Sequence, residues 1–338
     1  MNIPHPAEIM PTDQFISVCV PTFCRPHYLK KLIDTLEQYA DMPYELIVGD
    51  DGSPDTRARD EVYALKDRIS ITLFNNGMNM GLCAAANNVI TLARSRYILF
   101  MNDDCFFVKS CLKDVCNTLS KRYVGVMSPC NDMGPIADKD VCNVNGTRMA
   151  LSNFLGGGSS MAFRKEVWQQ VGGWDERSTS GQSDNVFFFK ILRAGYWKAV
   201  VEGKDSIKVG NFVYGDKYDD TASKMMGGND CSLPKLFGPG ITEEQRVQWN
   251  HMRRVACQWW VDGERTVPIE ERKKWGDDRQ NKEWGLNDIP AWSNHFLKIF
   301  GNKHSNSIHD IDWEIAKVHH QAQWKDEILK DFGVNSEA

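Results

Sequence analysis

No apolar stretch of the 338-residue chain approaches the ~20 residues that cross a bilayer. The first segment, MNIPHPAEIMPTDQ, has no apolar signal core. The expectation is a soluble, cytoplasmic protein, with peripheral attachment to a membrane left open. The ten cysteines include no C-x-x-C pair, so neither a zinc ribbon nor a thioredoxin-like site is indicated. Cys19, Cys83 and Cys105 lie in apolar runs and read as buried reduced thiols. There is no G-x-x-x-x-G-K-[ST] and no G-x-G-x-x-G, which removes the P-loop and dinucleotide-binding classes. "GGGSSMA" lacks the last glycine of a G-x-S-x-G elbow, and the protein-kinase motif set is missing. No histidine occurs between His27 and His251. Excess charge is small: 40 basic against 45 acidic residues give a net −5. That balance argues against a globally basic nucleic-acid binder.

What the chain does have is 42% hydrophobic residues, enough to bury a sizeable core. Its first half alternates two periodicities. "FISVCVPTF" (15–23), "YELIVGDDGSPD" (44–55), "ISITLFNN" (69–76), "RYILFMNDD" (96–104) and "YVGVMSP" (123–129) read as strands. Between them, 25–40, about 55–66, 79–95 and about 108–121 carry helical spacing. Residues 154–176 carry a Gly-rich entry, a short apolar piece and a helix ending at Gly172-Gly173, and 183–197 form a helix capped near Gly195. Strands alternating with helices predict a mainly parallel α/β sheet. Ligands bind such sheets beyond the carboxyl ends of the strands. The polar ends Pro21-Thr22, Asp50-Asp51 and Asn102-Asp103-Asp104 would then open on one edge, as parts of one pocket. Read singly, each acidic pair could be a surface turn, with Asp capping the next helix.

Four stretches in order resemble the family 2-like glycosyltransferases of the GT-A fold. They are "SVCVPTFCRPHYLKKLIDTL" (17–36), "ELIVGDDGSPD" (45–55), "NMGLCAAANNVITLARSRYILFMNDDC" (79–105) and "GGGSSMAFRKEVWQQVGGWDE…SDNVFFFKILRAGY" (156–196). The resemblance implies a GT-A, Rossmann-like fold: a mainly parallel sheet with flanking helices, plus a mainly helical C-terminal appendage. The expected divisions are an N-terminal extension (1–14), a transferase domain (15–225) and a helical C-terminal region (226–338).

The resemblance also implies the chemistry. The activity would be inverting hexosyl or pentosyl transfer from a nucleoside diphosphate sugar, a UDP-sugar first, to an acceptor hydroxyl. Donor contacts would come from Pro21, Thr22, Arg25, Asp50, Asp51, Asn79, Gly81, Asn87, Asn102, Asp103 and Gly157. Glycines 156–158 would let backbone approach the donor closely. The diphosphate calls for Mn²⁺ or Mg²⁺, hard cations that take one or two carboxylates plus phosphate oxygens and waters. Asp104 would be the main protein ligand, with Asp103 beside it. Asn102 stands where the family often has the first Asp of Asp-x-Asp, leaving one carboxylate fewer. Asp184 would be the general base, at a helix N-terminus that stabilises its anionic form. Ser183 stands where a Glu is common. Trp174 and Asp175 would contact the acceptor and donor sugars, although a Trp there also suits a core.

From about residue 240 most of the tryptophans and all but two of the histidines appear, amid mixed charge. A solvated helical subdomain explains that composition, and so does an acceptor-binding region. The acceptor expected is a glycan or glycoconjugate. A hydroxylated base in DNA is the alternative, and salt-sensitive retention on DNA would mark it. A non-catalytic nucleotide-sugar or carbohydrate-binding module is the alternative of another class.

Overall fold

The computed structural model describes residues 10–23, 26–52, 60, 64, 71–75, 82–129, 136–153, 158–174, 183–202, 206–209 and 296–334. Of the expected helix near 55–66 only residues 60 and 64 are described, both helical; the boundary near 225–240 and most of the C-terminal region lie outside the described residues.

Strand β1 (Ile16–Thr22) is buried along its whole length. It is flanked by β2 (Tyr44–Asp50) and β4 (Tyr97–Met101), with β3 (Ile71–Asn75) outside β2. All four run parallel. Parallel strands covered on both faces read as unbroken apolar runs, which is why "ISVCVPT" and "YILFM" show no alternation. The remaining sheet strands are β6 (Val124–Met127), β7 (Cys142–Val144), β8 (Thr147–Ser152), β9 (Ser160–Arg164) and β10 (Trp197–Val201). The order is β3-β2-β1-β4-β9-β6-β10-β8-β7. Strands β8 and β9 run against the other seven. A separate ribbon pairs β5 (Cys105–Phe107) with β11 (Ile207–Val209), antiparallel. The sheet is therefore mixed and mainly parallel, with helices on both faces.

One face holds α1 (Pro26–Tyr39), whose Leu29, Leu32, Ile33 and Leu36 are buried as the helical spacing predicts, and α3 (Leu112–Leu119). The other holds α2 (Leu82–Leu92), α4 (Lys165–Val171) and α5 (Ser183–Arg193). Helix α2 buries Cys83, Ala84, Ala85, Ala86, Val89 and Ile90. Its small side chains bring its backbone close to the sheet. The residues 142–152, where no periodicity predicted structure, form the β7–β8 hairpin. Its tip is Asn145-Gly146, both at positive φ, the two-residue turn whose twist matches the strands.

Helix α5 is apolar almost all round: Val186, Phe187, Phe188, Phe189, Ile191 and Leu192 are all buried. Such a helix needs cover on two sides. Phe187, Phe188 and Ile191 pack with sheet residues Phe100, Val126 and Phe163. Val186, Phe189 and Leu192 join the core cluster that includes Phe296, Ile299 and Phe300, with Phe296 stacked on Phe189 at 5.9 Å. Residues 296–334 also carry α6 (Trp313–Ala316) and α7 (Lys325–Asp331). Phe300 and Trp313 meet Trp197 edge-on. Trp324 Nε1 donates to Gly195 O at 2.8 Å, and Lys121 pairs with Asp331 at 2.8 Å. This part of the C-terminal region is continuous with the core of the sheet and its helices. Among the described residues no helix is long and apolar enough to cross a membrane. The six described cysteines, Cys19, Cys83, Cys105, Cys111, Cys116 and Cys142, are all buried, and no disulfide joins any two of them. Burial pushes the Cys116 thiol up to about 12.

Candidate active site

The ends of β1, β2 and β4 lie side by side because the three strands are parallel and in register. Thr22 is level with Asp50, and Cys19 is level with Phe100, so three residues further on Thr22 faces Asp103. The pairing extends past the strands: Asp51 N donates to Thr22 O at 2.9 Å. Thr22 Oγ1 donates to Asp103 Oδ2 at 2.8 Å, and Phe23 N reaches the same oxygen at 3.4 Å. The Asn102-Asp103-Asp104 turn is thus tied to the end of β1. Pro21, at the same edge, is buried.

Asp50, Asp51, Asp103 and Asp104 are all at most 8% exposed. Carboxylates buried together repel, and each resists ionisation unless donors or a cation face it. Asn102 Oδ1 adds a buried acceptor with no hydrogen-bond partner. A buried oxygen left without a donor beside buried carboxylates is the ligand set a hard divalent cation takes. Among the described residues no group of three or more His, Cys, Asp or Glu is placed to hold a metal ion. A cation here would draw the rest of its coordination from beyond these groups. Diphosphate oxygens and waters are what Mg²⁺ and Mn²⁺ usually take. Asp103 Oδ2 already accepts from Thr22 and Phe23, so Asp103 also has a structural task. Asp103→Ala is expected to lower stability by about 1.5–3 kcal/mol, the range for hydrogen bonds to a charged group, read from urea unfolding midpoints.

Asp184 reaches this edge from the opposite element. It is the second residue of α5, whose first turn holds no other acid. Its carboxylate lies against the backbone of Gly158: a Cβ built on Gly158 would fall 1.9 Å from Asp184 Oδ2. The neighbouring Ser159 O accepts from Asn102 N at 2.8 Å and from Cys105 Sγ at 3.2 Å, while Ser160 pairs with Met101. A short path, Asn102–Ser159–Gly158–Asp184, therefore links the acidic turn to the helix-borne carboxylate. Nothing in the sequence singled out Ser159. Its part is played by a main-chain oxygen, which any residue offers. Lys198 was also missed. It is buried on β10, with Nζ 4.9 Å from the Phe188 ring centroid, one helical turn along from Asp184.

Trp174 is 3% exposed and stacks on Phe187 at 3.9 Å and 13°, with Phe100 and Phe163 around it. In this structure the ring is a core residue, not an open platform. Asn87 holds the chain there: its Oδ1 accepts from Trp174 N at 3.0 Å and Trp168 Nε1 at 3.3 Å, and its Nδ2 donates to Trp174 O at 3.0 Å. Its carboxamide is thereby committed to the Trp174 turn. Trp174→Ala is expected to cost about 3–5 kcal/mol of stability, with Trp174→Phe much milder. Denaturant unfolding of the two variants measures both. Arg25, Asn79, Gly81, Gly157 and Asp175 lie outside the described residues.

Residues 17–135 match the sequence model of glycosyl transferase family 2. An uncharacterized glycosyltransferase of Haemophilus influenzae is 22% identical over 196 residues, covering 53% of this chain and 62% of that protein. The chain thus spans less than two thirds of that relative. Among solved structures, S. aureus TarS 1–349 in complex with UDP-GlcNAc is similar at 14% identity and a TM-score of 0.48, covering 96% of this chain and 93% of that one. The mannosyltransferase PcManGT from Pyrobaculum calidifontis, in complex with GDP-Man and Mn²⁺, is similar at 15% identity and a TM-score of 0.45, covering 92% and 87%. Over residues 17–135, about a third of its length, the chain is thus similar in sequence to glycosyl transferase family 2.

Proposed function

We propose that the protein transfers a sugar from a nucleoside diphosphate sugar to an acceptor hydroxyl, with a divalent cation and with inversion at the anomeric carbon. The observation that carries the reading is the set of buried acids at the ends of β2 and β4, with Asp184 against Gly158, the residue before the Ser159 whose carbonyl accepts from Asn102 N. Asp50 and Asp51 suit base N–H and ribose hydroxyl donors, which would offset their burial. The choice of UDP rests on the family resemblance of the Asp50-Asp51-Gly52-Ser53 turn. Asp104, with Asp103 and the Asn102 carboxamide oxygen, would hold Mn²⁺ or Mg²⁺, which when bound offsets the charge developing on the diphosphate.

Asp184 is the general base. It takes the proton of the acceptor hydroxyl as the acceptor oxygen bonds to the anomeric carbon. The anomeric carbon–oxygen bond to the diphosphate breaks, and the nucleoside diphosphate leaves with that electron pair. A single base opposite the leaving diphosphate implies an in-line displacement, and the inversion proposed rests mainly on the family resemblance. The acceptor proposed is a glycan or glycoconjugate.

The test incubates the protein with UDP- and GDP-sugars, Mn²⁺ and a panel of glycan acceptors. It measures nucleoside diphosphate release and reads product anomeric configuration by NMR. Metal-dependent transfer with inversion is the expected result. Donor binding with neither transfer nor hydrolysis would replace it with a non-catalytic binding module, and retention of configuration would overturn the single displacement.

A further inference from the structure

We infer that Gly158 is a positioning residue for the base: it is glycine so that the Asp184 carboxylate can lie flat on the backbone beside the acidic turn. The inference rests on the reading of Asp184 as the base. The expectation for the glycine run was a close approach of backbone to donor. The geometry at Gly158 assigns a different occupant. A Cβ there would meet Asp184 Oδ2 at 1.9 Å, Cγ at 2.6 Å and Cβ at 2.7 Å. These are three atoms of one side chain, all nearer than non-bonded carbon contacts permit. Asp184 has only two side-chain torsions, and its Cβ is itself inside the contact, so rotation about χ2 does not clear the space.

The helix cannot retreat either. Phe187 and Phe188, three and four residues on, are fully buried, and Phe187 is stacked on Trp174. On the other side, Ser159 O and Ser160 are fixed by Asn102 N and by the β4–β9 pairing. Two rigid elements therefore meet where one hydrogen atom is all that fits between them. The seat fixes the distance between the base and the cation side of the site, and geometry of this kind governs rate rather than affinity.

The experiment is a double-mutant cycle of Gly158→Ala and Asp184→Asn. Release of nucleoside diphosphate is followed with the UDP- and GDP-sugar panel and Mn²⁺, alongside crystal structures of the wild type and Gly158→Ala. Gly158→Ala is expected to lower kcat about 100-fold, within the range of a displaced base, with donor KM within about twofold of wild type. In the Asp184→Asn background the same change is expected to have almost no further effect. An equal fall in both backgrounds, or a fall in donor affinity with kcat kept, overturns the positioning role. Should Asp184→Asn keep the full rate, or should no donor turn over, the base assignment fails instead. The structures then decide the seat alone: an Asp184 carboxylate unmoved in Gly158→Ala overturns it, and a displaced one upholds it. If Gly158→Ala does not fold, Gly158→Ala/Asp184→Gly restores the missing space; recovery of the wild-type melting temperature supports the contact, and no recovery overturns it.

Discussion

Asp104→Ala abolishes the stabilisation that a nucleoside diphosphate sugar and Mn²⁺ give together, and lowers transfer by roughly 10²–10³-fold or more. Donor at 100 times its dissociation constant raises stability by about 2.7 kcal/mol, a shift that a thermal melt resolves. In the variant the melt with donor and Mn²⁺ coincides with the melt without them. The reason lies in how the turn shares its work. Asp103 Oδ2 is held by Thr22 and Phe23, so its carboxylate anchors the turn to β1. Asp104, next to it and 8% exposed, supplies the other acidic oxygens of the turn. The unliganded variant is expected to be as stable as the wild type, or more so. It has one buried acid fewer at an edge that also buries Asp50, Asp51 and Asp103. A loss of stability without donor, together with an intact shift on adding donor and Mn²⁺, would make Asp104 a structural residue and refute the cation site.

How much of this was legible in the sequence depends on the range of the interactions. Strands β1, β2 and β4 and helices α1 and α2 were readable because each is a local pattern: an unbroken apolar run, or apolar residues three and four apart. The alignment of Thr22, Asp50 and Asp103 followed from parallel topology, which makes strand ends coincide. The β7–β8 hairpin carried a signal that went unused, Asn145-Gly146 between Cys142–Val144 and Thr147–Ser152. The β5–β11 ribbon carried none, since three residues that pair across a hundred others show no period of their own. Helix α5 was visible, but not why its apolar residues circle it; the cover from Phe296 and Phe300 arrives from the far end of the chain. Trp174 shows the same limit in the site. Gly-Gly-Trp-Asp-Glu resembled a sugar contact, and only the packing of Phe100, Phe163 and Phe187 reveals that the ring is enclosed. The seat of Asp184 on Gly158 was also out of reach, because it depends on an interatomic distance between two elements.

Asp184→Asn lowers kcat by about 10²–10⁴-fold, the usual contribution of general base catalysis, while the donor-induced thermal shift with Mn²⁺ stays as in the wild type. The amide matches the carboxylate in size, so it fits against Gly158 and keeps the packing of α5, whose Phe187 and Phe188 hold the helix on the sheet. What it loses is the ability to accept the acceptor's proton. This separates the two halves of the site. Asp104→Ala removes donor binding and with it turnover, whereas Asp184→Asn leaves donor binding and removes turnover alone. The pair of variants thus maps cation side and base side onto different observables: a melting shift for one, a rate at saturating donor for the other. An Asp184→Asn variant with wild-type kcat would remove Asp184 from the chemistry. It would also weaken the case for inversion, which takes Asp184 as the single base opposite the leaving diphosphate. A variant that loses the thermal shift as well as the rate would place Asp184 among the donor contacts instead of opposite them.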